Sequence, residues 1–404
     1  MPSAASTRAS LLALCFGNFV IGTGTLIVPG MLPQLADGLA VSLPIAGLLV
    51  TAFAATVCVS APLLAAATSR LDRRALLAGM QLVFFAGHAA AALVSSFALM
   101  LVLRVLTSVG AALFTAQAAA AAALLVRPEA RGRAIALVFL GWSIASVAGM
   151  PLGAYVGAVW GWRAGFALVA AGALVGAVAV WLLVPAGVRV QPVSGAMWRS
   201  LLGNPSVLAN VGVTSLFAAA GFALLSYFVP AARQLLHASP ELVSVLLAAF
   251  GVAGVTGNVL AVRYMDRLGP ARVIMLALLS ALCAHLLWPW TQDAPLLMAV
   301  VMLGAGLGVF AGNSAQQARM VALAPAAASV SIALNSSAIY LGQAIGPAAA
   351  GLLIAHVPGV QGYALLAAIS APLLVLAIGL SQFASLRMRP PSGSAHVQGR
   401  AAQG

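Results

Sequence analysis

The chain has 404 residues, of which 63% are hydrophobic and only 6% charged. A soluble domain carries about a quarter charged residues, so the polar surface here is far too small to coat a water-soluble core of this length. All 19 basic residues are arginine and they stand mostly in short clusters between apolar runs, which excludes a basic nucleic-acid face and puts most of the chain in lipid.

The N-terminus begins as a secretory signal does, with Arg8 ahead of an apolar stretch. The stretch continues to Pro29 without a small-residue cleavage site, about 20 residues in all, and so reads as the first membrane helix. Hydropathy windows predict twelve spans: 10–32, 42–66, 76–95, 97–125, 134–157, 164–184, 206–230, 240–262, 272–291, 295–318, 329–355 and 361–385. Cys15, Cys58 and Cys283 fall inside these runs and carry no redox reading.

Arginine clusters separate the spans: Arg70, Arg73 and Arg74; Arg127, Arg131 and Arg133; Arg263, Arg267 and Arg272; Arg387 and Arg389. With Arg8, Arg189, Arg199, Arg319 and Arg400 they place sixteen arginines on the N-terminal side of the membrane, against Arg163 and Arg233 on the other, with Arg104 inside the fourth span. The excess marks the cytoplasmic side, so the expectation is a multi-pass protein of the cytoplasmic (inner) membrane with both termini in the cytoplasm. Trp160, Trp162, Trp288 and Trp290 at outer ends, and Trp181 at an inner end, fit interfacial indoles.

The longest break in hydropathy, Val184 to Pro205, divides six spans from six. The expected organisation is an N-terminal six-helix bundle (1–184), a cytoplasmic linker (185–205), a C-terminal six-helix bundle (206–386) and a disordered cytoplasmic tail (387–404). Arg74 and Arg267, Pro151 and Pro347, and Pro33 and Pro230 are 193, 196 and 197 residues apart. A near-constant offset indicates two repeats, the plan of a transporter whose halves move about a central site. Within the fifth span Gly149, Gly153 and Gly157 share one face around Pro151, and Gly342, Gly346, Pro347 and Gly351 repeat the pattern in the eleventh. Small residues let backbones approach closely, so both faces are expected to form an interface that opens and closes.

These motifs resemble the major facilitator superfamily, in particular its twelve-helix drug/proton antiporter branch, and the likeness covers nearly the whole chain. Gly149-Met150-Pro151-Leu152-Gly153 is similar to the antiporter motif of the fifth helix, and Ser69-Arg70-Leu71-Asp72-Arg73-Arg74 to the loop motif between helices two and three. Arg104 with Gly110 is similar to the fourth-helix motif, and "RGRAIAL" and "GWRAGF" resemble efflux members for arabinose, purine nucleosides and chloramphenicol. The resemblance implies an all-α membrane protein of two pseudo-symmetric bundles that exports small organic compounds by alternating access with proton antiport. Thr25 stands where many such relatives carry a glutamate, and Ser69 and Asp72 depart from the usual loop pattern, which a second copy at Asp266-Arg267-Leu268-Gly269 retains.

The residues themselves support two readings of the loop arginines Arg70, Arg73, Arg74, Arg131 and Arg267: a charged latch between halves, or positive-inside charge alone. Arg104, buried at an expected cost of about 2.5–3.5 kcal/mol, should face a cavity or the bundle interior. The acids Asp37, Asp72, Glu129, Glu241, Asp266 and Asp293 all fall near span ends or in loops, leaving His88, His285 and Asp37 as the titratable candidates for proton coupling. The expected cargo path has neutral polar residues, Asn18, Thr25, Gln117, Asn313, Gln316, Gln317, Asn335 and Gln343, and aromatic walls from Trp142, Phe217, Phe222, Tyr227 and Tyr340. Such a path suits neutral or weakly basic organic molecules. The alternative is an uncoupled facilitator or uptake carrier for a sugar or nucleoside. Hydrolase motifs and a phosphate-cradling lysine loop are missing, so the chain is expected to be a non-enzyme without cofactor or metal, a monomer in the bilayer whose partners are a small-molecule substrate and protons.

Overall fold

The computed structural model describes residues 4–68, 70–189, 195–324 and 328–387. Ser69, Arg389, Arg400 and the expected tail beyond Arg387 lie outside the described residues. Among the described residues twelve helices are long and apolar enough to cross a membrane. They are α1 (Ser6–Gly30), α2 (Leu43–Leu64), α3 (Arg73–Leu93), α4 (Phe97–Leu124), α5 (Pro128–Val159), α6 (Trp162–Leu183), α7 (Pro205–Leu225), α8 (Pro240–Leu268), α9 (Pro270–Trp290), α10 (Pro295–Leu323), α11 (Val330–His356) and α12 (Val360–Ser385). In lipid each backbone polar group must be paired within its segment, and a helix does this without help.

Several ends differ from the hydropathy reading. α8 and α10 continue to Leu268 and Leu323, so Arg263, Asp266, Arg267 and Arg319 are helical and not in loops. Charge leaves the bilayer but does not stop a helix; Gly269, with φ of 75°, ends α8. The first and seventh spans end earlier than expected, at Gly30 and Leu225, and are followed by separate short helices, Leu32–Gly38 and Phe228–Leu236. Each carries its proline, Pro33 or Pro230, in the first turn, where the N–H has no helical partner to lose. α5 contains a wide π turn at Ala145–Gly149, immediately before Pro151, whose missing N–H breaks the regular ladder there. Trp162 and Trp288 are buried inside the protein, Trp288 donating to the Tyr363 carbonyl at 2.8 Å, so only Trp160, Trp181 and Trp290 are exposed near span ends.

The helices pair by one scheme, used twice. α1 packs on α5 and α6, α4 on α2 and α3, and α3 on α6; six helices later α7 packs on α11 and α12, α10 on α8 and α9, and α9 on α12. The result is two pseudo-symmetric six-helix bundles, which meet along α2 with α11 and α5 with α8.

Apart from Gly351, which lies near Pro44 of α2 at the boundary between the halves, the glycine stripes belong inside each bundle, which corrects the expectation that they form the interface between the halves. A Cβ at Gly149, Gly153 or Gly157 would lie 2.2 to 2.5 Å from side chains of Thr23, Ile27 and Met31, all on or just after α1. In α11 a Cβ at Gly342 or Gly346 would lie 2.3 or 2.1 Å from a carbonyl oxygen of α7. Lipid supplies no hydrophobic force between helices, so close contact over small residues is what fastens α5 to α1 and α11 to α7. The face of α5 that meets the other half is the other side of the helix: the Ser146 and Val147 backbone lies against Gly251 of α8, and the Ser244 hydroxyl donates to the Pro151 carbonyl at 3.4 Å.

Candidate transport pathway

Contacts between α5 and α8 gather at the arginine-poor end of the bundle. α8 touches α5 chiefly over residues 145–159 and scarcely over 131–144, the part leading to the arginine-rich end. Tyr227, expected as a cavity wall, instead closes this end. Its buried hydroxyl wedges between Gly47 of α2 and Gly351 of α11, where added Cβ atoms would lie 2.1 and 2.5 Å from that oxygen. With its amide oriented to satisfy both ends, Gln34 donates to the Met31 carbonyl at 3.2 Å and accepts from Arg233 of the opposite half at 2.9 Å. Above the seal lies an open depression of ≈ 460 Å³ bordered by Pro33, Asp37, Pro230 and Arg233, so Asp37 sits on an exposed rim and not within a span.

The Tyr227 hydroxyl has no hydrogen-bond partner. Tyr227→Phe should therefore keep the seal, and removing an unsatisfied buried hydroxyl stabilises by about 1–3 kcal/mol. Tyr227→Ala should break it. In a background without Cys15, Cys58 and Cys283, a cysteine at Ala46 should react with an impermeant maleimide faster in Tyr227→Ala than in Tyr227→Phe; equal rates would remove Tyr227 from the seal.

Three of the eight neutral polar candidates, Asn18, Gln316 and Asn335, tie helices together. In the N-terminal half the Asn18 amide donates to the Val138 carbonyl at 2.9 Å and accepts from Thr115 at 2.8 Å, and Trp142 donates to Thr115 at 3.3 Å, joining α1, α4 and α5. In the C-terminal half Thr214 donates to Asn335 at 2.8 Å while Gln316 donates to Thr214 and to the Asn210 carbonyl, both at 3.1 Å, joining α7, α10 and α11. These are equivalent helices, so each half has one buried amide network at its centre. Phe217 and Gln117 are buried, Gln343 is buried with its amide nitrogen unpartnered, and Gln317 donates to Asn313 one turn back on α10. Trp142, Phe222, Asn313, Gln317 and Tyr340 keep partial exposure.

Arg104 is buried at 1% exposure, inside the N-terminal half. Its Nη1 donates to the Gly24 carbonyl at 3.3 Å and its guanidinium stacks 4.3 Å from the centre of the Phe53 ring, while Nε and Nη2 have no partner. Thr25 does not answer it: the hydroxyl donates to the Ile21 carbonyl, one turn back.

At the arginine-rich end the loop motif is chiefly a brace. Asp72 caps α3 by accepting from the Ala75 N–H at 3.1 Å and also accepts from the Gly187 N–H, while the Arg73 N–H donates to the Val188 carbonyl at 2.9 Å. The loop is thus fastened to the start of the linker in its own half. Arg73 is buried and donates to the Thr68 carbonyl, Arg74 stacks 4.4 Å from the Trp181 ring, and Arg70, Arg131, Asp266 and Arg267 are exposed. Sequence reasoning missed Arg319, which is buried and donates to the Ser381 hydroxyl and carbonyl and to the Ser385 hydroxyl of α12, at 2.9 to 3.1 Å. The signal was present as two serines one turn apart on α12.

Twelve spans in two matched halves, sealed against each other at one end and threaded by buried amide networks, define a multi-pass membrane transporter and not an enzyme. Residues 14–332 and 211–402 match the Major Facilitator Superfamily. The inner membrane transport protein YdhP of Escherichia coli (strain K12) is 31% identical over 382 residues, 94% of this chain and 96% of that protein. A chloramphenicol resistance protein of Streptomyces lividans is 32% identical over 359 residues, 87% of this chain and 91% of that one. Among solved structures, an inward-facing, unoccupied bacterial homolog of the human lysosomal transporter Spinster superposes with a TM-score of 0.81 at 18% identity, covering 97% of this chain and 100% of that one. The chain belongs to the Major Facilitator Superfamily.

Proposed function

We propose that this transporter exports small neutral or weakly basic organic compounds from the cytoplasm by alternating access, in exchange for protons. The arginine count assigns the arginine-rich end to the cytoplasm. The closed outer end and the separation of α5 from α8 toward that cytoplasmic end then describe a carrier ready to take cargo from inside. The observation that carries the reading is this closure above an uncharged set of side chains. Trp142, Phe222, Asn313, Gln317 and Tyr340 are the partly exposed candidates, and they offer amides and rings but no carboxylate. Glu241 and Asp266 occupy only the first and last turns of α8. Such a lining binds apolar bodies with a few neutral polar groups, and the relative described as a chloramphenicol resistance protein fits that chemistry.

Thr25 and the confinement of carboxylates to span ends and loops favour a second reading, an uncoupled facilitator. Proteoliposomes separate the two. Flux of chloramphenicol, a nucleoside and a pentose is to be followed with and without an imposed pH gradient. Antiport predicts chloramphenicol flux that rises with a gradient of protons moving the opposite way and collapses with an ionophore; flux indifferent to the gradient rejects antiport, and transport of the sugar or nucleoside alone rejects the cargo class.

A further inference from the structure

Three residues around Arg104 recur in the other half at one fixed spacing, and Arg104 itself is replaced there by an apolar residue. Gly24, Phe53, His88 and Arg104 come from α1, α2, α3 and α4, and each has a counterpart 197 residues later: Gly221, Phe250, His285 and Val301. The second set also meets in space, around a single cavity of ≈ 20 Å³. The duplicated plan therefore keeps the glycine, the ring and the imidazole in both halves and places a cation in one.

In the N-terminal copy the imidazole is poised against that cation. His88 is buried at 1% exposure, and its Nδ1 lies 2.9 Å from the Phe84 carbonyl. A carbonyl only accepts, so Nδ1 carries the ring proton and Nε2 of the neutral ring holds the lone pair. That Nε2 is buried without a partner and faces α1, where a Cβ on Gly24 would come within 2.9 Å of it. Around the ring α1 presents Gly24, α3 itself presents Phe84, α6 presents Phe166 with ring centres 5.7 Å apart, and Arg104 of α4 is the one charged group acting on it among the described residues. The carbonyl of this same Gly24 is the one to which Arg104 donates, at a long 3.3 Å.

We propose that His88 and Arg104 form a proton-operated switch on the Gly24 carbonyl. With His88 neutral, Arg104 holds the carbonyl. A proton taken up at Nε2 makes both ring nitrogens donors, Nε2–H claims the carbonyl, and like charge displaces the guanidinium toward Phe53 on α2, a helix of the interface between halves. Loss of the same proton restores the first arrangement, so one proton is bound and released per cycle. The inference rests on the antiport reading and assigns its proton to a histidine. Both residues lie toward the arginine-poor ends of α3 and α4, the end sealed in this conformation, so the proton enters when that end opens.

The test uses the full chain in lipid nanodiscs, labelled with 15N-histidine and titrated by NMR, with and without Arg104→Gln. The His88 ring should change its proton affinity by at least about tenfold between the two proteins while His285 stays unchanged. An unchanged His88, or equal changes at both rings, overturns the switch. In chloramphenicol-loaded proteoliposomes His88→Gln should keep exchange at equal concentrations yet lose gradient-driven flux, whereas His285→Gln should keep both; gradient drive surviving in His88→Gln also overturns it. Wild-type flux that ignores the gradient, with the His88 change present in the spectra, defeats the antiport reading instead.

Discussion

Arg104→Ala is expected to reach the membrane at the wild-type level and to lose transport, with flux below about one-tenth of wild type, a loss of ~1.4 kcal/mol or more in coupling. Placing arginine within a span costs about 2.5–3.5 kcal/mol, so removing it relieves insertion and cannot itself explain a missing protein. What the variant removes is specific: a donor to the Gly24 carbonyl on α1 and a stacked cation 4.3 Å from Phe53 on α2. α1 is packed on α5, and α2 and α5 are the helices through which this half chiefly meets the other half. Arg104 thus touches the elements that must move together. Arg104→Lys should recover little, because a point charge with three donors does not reproduce a planar group that stacks and donates at once. Surface labelling and size-exclusion profiles establish insertion and folding; wild-type flux from a correctly inserted Arg104→Ala protein would place the residue outside the transport cycle.

The number of spans and the arginine asymmetry were legible because lipid is a harsh solvent: any backbone inside it must be helical and any charge inside it is costly, so both leave marks in one dimension. Helix ends were legible only where a breaker stood. Hydropathy stops counting at the headgroups while α8 and α10 run on, and that is how Arg319 passed for a loop charge although it is clasped by α12. The glycine periodicity identified a close-packed face but not its partner, since a repeat of four fixes a side of one helix and nothing about which neighbour lies there. Tyr227 looked like a cavity wall for a related reason: its place along the chain was right, but the break after Leu225 sends it between Gly47 and Gly351. The buried amides Asn18, Gln316 and Asn335 could be read as polar groups inside spans; that Asn18 pairs with Thr115 and the Val138 carbonyl, and that Gln316 and Asn335 both pair with Thr214, became visible only in three dimensions. The fixed spacing linking His88 to His285 was in the sequence throughout, yet it acquires meaning only once Gly221, Phe250 and Val301 are found around the second ring.

Gly346→Val is expected to give the largest loss of stability of any single substitution considered. The added Cβ would lie 2.1 Å from the Ala219 carbonyl oxygen, 2.9 Å from its carbon and 3.0 Å from the Ala223 nitrogen. All three are backbone atoms of α7, so no side chain can turn aside and the two helices must part. Overpacking a tight core costs about 1–3 kcal/mol, and here the separation also strips dispersion contacts along the rest of the α7–α11 seam and strains the Thr214–Asn335 hydrogen bond farther along it. Gly379 in α12 is the control. A Cβ there meets nothing within 4 Å, so Gly379→Ala should be neutral or stabilise by about 0.5–1 kcal/mol through helix propensity. Thermal unfolding of the purified proteins in detergent, followed by buried-cysteine reactivity, compares them; a Gly346→Val midpoint equal to that of Gly379→Ala would show that the seam is loose. A tight seam has a functional consequence. In the proposed alternating-access cycle α11 can shift on α2 only if α7 carries it as one body, and the close glycine contact is what fastens that pair.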